Sequence, residues 1–310
     1  APELAVSLKA SFAGQTDIAI GNVVGSNILN ILFILGVSAL VSPLTVSSQL
    51  IRLDVPLMIG ASVLMLVLGG DGNIGRGEGG LLFAILICYI VWTVYQSRRE
   101  TAEARREFEQ EYPIPERVSW RQVGRQIGLV LLGLVLLTVG ARWLVDGAST
   151  IARLLGMSEL LIGLTIVALG TSLPEVAASV LASWRGERDI AVGNVIGSNL
   201  FNILCVLGLS AAVSAQGVAV PVSALRFDIP VMIAVAVVCL PIFFTGQQIA
   251  RWEGGLFLGY YVAYTLYLVL RETQPAMSRT FGEVMWAVVI PLTAVTLLFS
   301  FWRAFFSRRT

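Results

Sequence analysis

The sequence predicts an all-α polytopic membrane protein made of two duplicated halves of opposite orientation. Its apolarity, its recurring span-length runs and an internal repeat carry that prediction. Of 310 residues, 56% are hydrophobic and 13% charged, and the mean hydropathy is +0.81. Soluble domains sit near roughly 45–50% apolar and about 25% charged. A hydrocarbon core roughly 30 Å thick is crossed by about 20 apolar helical residues, and the chain supplies such runs repeatedly. The net charge of +1 offers nucleic acid no basic surface, and the absence of His removes the commonest transition-metal ligand and proton-transfer side chain. Cys88, Cys205 and Cys239 lie singly inside apolar runs without the spacing of a metal or redox motif, so they read as lipid-facing or packing residues. The expectation is a transporter rather than an enzyme, embedded in the lipid bilayer, with no cofactor. Nothing in the sequence points to a protein partner.

Taken in order, an opening half-span at 1–13 is followed by spans at 18–41, 48–69 and 79–96. Glycine-rich and charged turns separate them, as at Gly69-Gly70-Asp71-Gly72-Asn73. Residues 97–125 form the one long hydrophilic stretch, with Arg98, Arg99, Arg105, Arg106, Arg117, Arg121 and Arg125 set among six glutamates. They read as a solvated, partly helical linker. Spans at 126–150, 157–184, 188–213, 222–245 and 252–271 follow, broken at Trp184-Arg185-Gly186-Glu187-Arg188 and ended by Gln274-Pro275. A last apolar run, 281–305, is long enough for one further crossing. The expected organisation is a first repeat half at 1–96, a charged cytoplasmic linker at 97–125, a second half at 126–272, and an extra C-terminal helix within 273–310.

Aligning residues 1–40 on 173–212 without a gap gives 23 identities. Further on, Arg52-Leu53-Asp54-Val55-Pro56 resembles Arg226-Phe227-Asp228-Ile229-Pro230, and Glu78-Gly79-Gly80 resembles Glu253-Gly254-Gly255, so a whole half is duplicated. An odd number of crossings separates the helices carrying Asn30 and Asn202, which makes the repeat an inverted one. In such folds the substrate site lies near the bilayer midplane, where interrupted helices of the two halves meet.

Polar residues inside the duplicated runs are therefore the site candidates. Glu3, in Ala1-Pro2-Glu3, and Glu175, in Gly170-Thr171-Ser172-Leu173-Pro174-Glu175, stand in apolar segments where a charge costs about 2.5–3.5 kcal/mol or more. Pro174 lacks the amide hydrogen that would bond the Gly170 carbonyl, so the helix bends there and frees oxygen. Thr171 and Ser172, four and three residues before Glu175, are expected on its helical face. In the second motif, Gly21-Asn22-Val23-Val24-Gly25-Ser26-Asn27-Ile28-Leu29-Asn30 recurs as Gly193-Asn194-Val195-Ile196-Gly197-Ser198-Asn199-Leu200-Phe201-Asn202. Its glycine pairs permit close helix approach. Ser26 with Asn30, and Ser198 with Asn202, share a face, and interhelical hydrogen bonding is the competing role for all four. Asn22, Asn27, Asn194 and Asn199 point elsewhere and read as structural. Carboxylate, hydroxyl, amide and carbonyl oxygens suit calcium or sodium better than magnesium or a soft metal.

Together, a G-T-S-x-P-E type run and a G-N-x-x-G-S-N-x-x-N run about twenty residues later in each half resemble the cation/calcium antiporter superfamily, and within it the prokaryotic sodium/calcium exchangers. The resemblance covers nearly the whole chain. It implies two inverted five-helix halves around a central site alternately open to each side of the cell membrane, with sodium driving calcium extrusion. It also implies that Glu3 and Glu175 are shared by the transported calcium and sodium ions. Thr171, Ser172, Ser26 and Ser198 would be hydroxyl ligands, Ala168 would offer a carbonyl, and Asn30 and Asn202 would complete the hydrated centre. Residue 1 falls inside the first signature, so the family's first helix is expected to be missing. Asn202 stands where many relatives place Asp, which disfavours a potassium-requiring variant. If 281–305 spans, the Arg-rich linker and the C-terminus with Arg303, Arg308 and Arg309 share one side, the cytoplasm by the positive-inside rule. A proton/calcium antiporter is the main rival, yet relatives of that type carry a His in their repeats. A non-transporting scaffold is disfavoured by the duplicated ligand sets, and a channel by the inverted repeat.

Overall fold

A computed structural model describes residues 2–97, 120–244 and 246–296. Most of the linker, at 98–119, and the end of the C-terminal run with Arg303, Arg308 and Arg309 lie outside the described residues. The described chain is a helical bundle. Its first half comprises α1 (Pro2–Phe12), α2 (Thr16–Val41), α3 (Leu50–Asp71) and α4 (Arg76–Ser97). After the linker come α5 (Trp120–Leu154), α6 (Glu159–Thr171), α7 (Leu173–Arg185), α8 (Arg188–Val213), α9 (Ala224–Phe244) and α10 (Arg251–Thr273). A last helix, α11, starts at Pro275 and continues to residue 296.

By length and apolarity, six of the described helices qualify as spans, and α6 with α7 makes a seventh, bent by 49°. α10 is 23 residues long, enough for about 34 Å of helix, but Arg251, Glu253, Arg271 and Glu272 at its ends dilute its apolarity. α5 begins earlier than hydropathy marks, because Arg121 and Arg125 are good helix formers that extend it toward the linker. α11 likewise begins before the apolar run, with Pro275 at its first turn, where a missing amide hydrogen costs nothing.

The two halves run in opposite senses. Ser183, near the end of α7, donates from Oγ to the carbonyl of Ser38 at 2.7 Å, near the end of α2. Gly186, at φ 87°, then turns the chain into α8. So α8 sets out from the end of the bundle where α2 finishes.

Each half is also latched to the other by paired devices. Two short antiparallel ribbons, the exceptions to the all-α reading, pair Leu44–Thr45 with Gln248–Ile249 and Asn73–Ile74 with Val218–Ala219. Arg251 donates from Nη2 to the carbonyl of Val41 at 3.4 Å, and Arg76 from Nε to that of Ala212 at 3.1 Å. The repeated Glu78-Gly79 and Glu253-Gly254 pairs acquire a role here. Each Glu accepts a backbone N–H at the start of its own helix, Gly75 at 2.7 Å and Ala250 at 2.8 Å. Each Gly lets the opposite half in: a Cβ on Gly79 would stand 2.5 Å from the carbonyl oxygen of Gly208, and one on Gly254 2.8 Å from that of Gly36.

The core lies along α2 and α8, whose residues are mostly buried, while α4 and α5 present leucine, valine and tryptophan outward, as lipid-facing helices do. Gly21 and Gly25 press α2 against α6 so closely that a Cβ on Gly25 would lie 2.4 Å from the carbonyl oxygen of Leu164. The same approach was expected at Gly193 and Gly197, but there nothing lies within 4 Å among the described residues. A small-residue pair makes a contact only where a facing helix supplies the other wall, and α6 supplies it to α2.

Candidate ion-binding site

Glu3 and Glu175 occupy the first turns of α1 and α7, where the positive end of a helix dipole favours a carboxylate. In each half the next helix holds this turn by the same contacts. Asn22 donates from Nδ2 to Ser7 Oγ at 2.9 Å and to the Glu3 carbonyl at 3.3 Å. Asn194 does so to Ser179 Oγ at 2.8 Å and to the Glu175 carbonyl at 3.4 Å. Asn22 and Asn194 thus each hold the carboxylate-bearing turn of their half, and Ser7 and Ser179 join them unanticipated.

The segment before Glu175 departs from the helical-face reading. The helix breaks at Ser172, with φ −90° and ψ 6°, and Pro174 opens the next one. Thr171 lies across that 49° bend from Glu175, while Ser172 caps α7 and its carbonyl still accepts the Val176 N–H at 3.0 Å. Ser172 instead crosses to the other half, where its Oγ donates to Glu3 Oε1 at 3.2 Å. Thr171 Oγ1 donates to Asn22 Oδ1 at 2.9 Å, also across the halves, and lies 3.3 Å from the carbonyl oxygen of Ala168. That carbonyl also accepts the N–H of Ser172 at 3.1 Å.

Ser26 and Asn30 are buried on α2; their equivalents Ser198 and Asn202 on α8 are half-buried and buried. Asn30 donates from Nδ2 to Asn199 Oδ1 at 2.8 Å, and Asn202 to Asn27 Oδ1 at 3.1 Å. Each amide nitrogen thereby gives one N–H to an interhelical bond. Three buried oxygens in this region have no hydrogen-bond partner: Ser26 Oγ, Asn30 Oδ1 and Glu175 Oε2. Buried polar atoms are nearly always paired, and these three leave acceptor capacity inside the duplicated motifs that a cation or its water can take up.

A cavity of about 310 Å³ is lined by Glu3, Glu175, Asn194, Ser198 and Asn202, with Gly193, Gly197 and Phe201 completing its wall. The inverted halves thus deliver one carboxylate each to a single polar space. Among the described residues no three His, Cys, Asp or Glu side chains cluster. Two carboxylates supplemented by neutral oxygens are a hard-cation donor set.

Several residues here escaped the sequence reading. Turns closed by i→i+5 bonds begin at Asn30 and at Asn202, running to Leu35 and Leu207. Such π-type turns are frequent at functional sites, and only the Asn shared by the repeats marks them in sequence. Asp54 and Asp228, buried in the repeated Arg-x-Asp-x-Pro runs, accept the hydroxyls of Tyr89 at 2.8 Å and Tyr264 at 3.1 Å. Each pair ties two helices of its own half.

Comparison with known proteins agrees with this geometry. The family described as sodium/calcium exchanger protein matches residues 1–95 and 125–270. The inner membrane protein YrbG of Escherichia coli is 40% identical over 243 residues, 76% of this chain and 72% of that protein. The sodium/calcium exchanger MaX1 of Methanosarcina acetivorans is 33% identical over 302 residues, 86% of this chain and 84% of its own. A solved structure of the sodium-calcium exchanger NCX_Mj superposes with a TM-score of 0.65 at 30% identity, covering 88% of this chain and 82% of that one.

Proposed function

Because the chain belongs to the sodium/calcium exchanger family, a multi-pass membrane family of cation/calcium exchangers, we propose that it exchanges sodium for calcium by alternating access at the Glu3–Glu175 site. The observation that carries this reading is the convergence of one carboxylate from each inverted half on one polar cavity. Calcium accepts six to eight oxygens in flexible geometry, and sodium is likewise a hard cation. Glu3 and Glu175 supply the charge. Ser198 and Asn202 line the same cavity, and Ser26 and Asn30 carry the unpaired oxygens on the facing helix. Ser172 and Thr171 act from the bend between α6 and α7, Ser172 directly on Glu3. Ala168 contributes its carbonyl oxygen, which the Ser172 N–H and the Thr171 hydroxyl approach at the bend.

Calcium and sodium compete for these ligands, and the two halves rock about them as occupancy changes. An empty site leaves two carboxylates uncompensated in a low-dielectric setting, which raises the cost of switching unloaded and so enforces exchange. The linker and the C-terminus lie in the cytoplasm on this reading, because both are rich in Arg.

Calcium flux into proteoliposomes holding the full-length protein tests the coupling. Uptake driven by an outward sodium gradient is expected. Uptake driven by a pH gradient and indifferent to sodium would replace this reading with proton/calcium antiport. Failure under both gradients would leave only a scaffold.

A further inference from the structure

Asn27 and Asn199 carry a contact pattern that goes beyond holding helices together. Both are buried, and each belongs to the helix of one half while touching the helix of the other. Asn27 Nδ2 lies 3.4 Å from the Asn199 carbonyl and 3.6 Å from Met232 Sδ. Asn199 Nδ2 lies 3.4 Å from the Asn27 carbonyl and 3.4 Å from Met58 Sδ. A backbone carbonyl and a thioether can only accept, so the amide nitrogen must face them. The amide oxygen of each is then turned the other way, where it meets Nδ2 of Asn202 or of Asn30. That sets the second pair in turn: with one N–H of each held by the opposite amide oxygen, Asn30 and Asn202 turn their own Oδ1 away from that contact. In agreement, Asn30 Oδ1 is buried and unpartnered, and Asn202 lines the cavity beside both glutamates.

We infer that Asn27 and Asn199 are positioning residues that set the amides of Asn30 and Asn202 with oxygen rather than nitrogen toward the cation, and that Met58 and Met232 fix the setting. This rests on the proposed exchange at the Glu3–Glu175 site and adds to it the reason why neutral amides serve as ligands there. An unset amide is free to flip, and a flipped one points a donor at the ion. Because the relay crosses between the halves in both directions, each half orients a ligand belonging to the other.

The test compares full-length wild type, Asn27→Leu, Asn199→Leu, Asn199→Asp and Met58→Leu in sodium-loaded proteoliposomes, reading calcium KM and kcat separately. Leu removes the accepting oxygen, whereas Asp keeps it opposite Asn30. The Leu variants of either Asn are expected to raise calcium KM about tenfold, one decade for about 1.4 kcal/mol, with kcat within a few-fold. Asn199→Asp, which keeps the oxygen facing Asn30 but loses the donors to the Asn27 carbonyl and Met58 Sδ, should raise KM less than Asn199→Leu. Met58→Leu, a volume-conserving change that removes only a weak acceptor, should raise KM about two- to threefold. An unchanged KM in the Leu variants overturns the inference, as does an equal shift in Asn199→Asp and Asn199→Leu. If both Asn→Leu proteins fail to fold, an unchanged KM in Met58→Leu overturns it instead. A wild type that exchanges normally beside unaffected variants removes the positioning role alone, while a wild type without flux removes the exchange reading and this one with it.

Discussion

Replacing Glu175 by Gln removes one of two charges while keeping shape. Glu175 Oε2 is buried without a protein partner, whereas Glu3 is held by Ser172, so Glu175 is the carboxylate whose charge the protein leaves least satisfied. At an effective dielectric near 20, a carboxylate about 2.4 Å from a divalent ion is worth of order 14 kcal/mol gross, most of it offset by desolvation. The net loss on removing one partner of a buried charge pair is about 3–5 kcal/mol. Since the side chain is only half-buried, the lower figure applies, and about 3 kcal/mol is roughly a 150-fold loss of calcium affinity. Sodium carries half the charge, so the same change costs it about half as much, roughly tenfold. Isotopic calcium uptake into sodium-loaded proteoliposomes should therefore collapse at micromolar calcium. Sodium-dependent thermal stabilisation in detergent should shift only modestly. Undiminished calcium uptake by Glu175→Gln would refute the site, and equal losses for both ions would refute the electrostatic argument.

Other expectations follow from the packing. Gly25→Ala places a Cβ 2.4 Å from the Leu164 carbonyl oxygen, so it should cost about 1–3 kcal/mol and lower the melting temperature in detergent. Gly60→Ala on α3, with open space around it, should not, and equal melting temperatures for the two variants would contradict the close approach of α2 and α6. Removing the Glu253 carboxylate with Ala frees the buried cap of α10 and should cost about 1–2 kcal/mol, read as the same thermal shift, with Glu283→Ala on α11 as an inert control. The two ribbons report topology. In a protein whose own cysteines are replaced by Ala, the pairs Thr45→Cys with Gln248→Cys and Asn73→Cys with Ala219→Cys should each oxidise to a disulfide. A membrane-impermeant reductant added to oriented vesicles should open only one of them. Opening both from the same side would contradict the inversion.

What was legible in the sequence and what was not divides along the range of the interactions. Span-length apolar runs and the duplicated glutamates are local or self-comparing signals, and the 23 identities in the first forty residues make them unmistakable. Ser172 was expected on the face of Glu175 because helical arithmetic assumes an unbroken helix. The 49° bend there lets the Ser172 hydroxyl reach Glu3 of the other half, a contact that no count along one helix gives. Gly193 and Gly197 repeat Gly21 and Gly25 in sequence, but contact depends on what faces them, which identity does not encode. Asn27 and Asn199 were set aside as structural because they lie off the Ser–Asn face. Their partners are each other and a methionine of the opposite half, and that pairing exists only once the halves are inverted against each other.

Inversion also explains why duplicated residues come in cross-bonded pairs. A pseudo-two-fold axis brings equivalent residues near one another, so a side chain that can both donate and accept can satisfy its own copy. An Asn amide does this without charge, and the four amides at 27, 30, 199 and 202 bond one another across the halves. Two Asp residues in the same place would repel. Two carboxylates brought together by the same axis need something positive between them, and Glu3 and Glu175 share one cavity with Asn202 of the amide cluster. On the exchange reading, the symmetry that lets the amides bond one another leaves Asn30 Oδ1 and the two glutamates for the cation. Ligand orientation and charge are then assigned to different residues of the same repeat, so Asn27→Leu and Glu175→Gln should fail in different ways: the first through KM and packing, the second through charge.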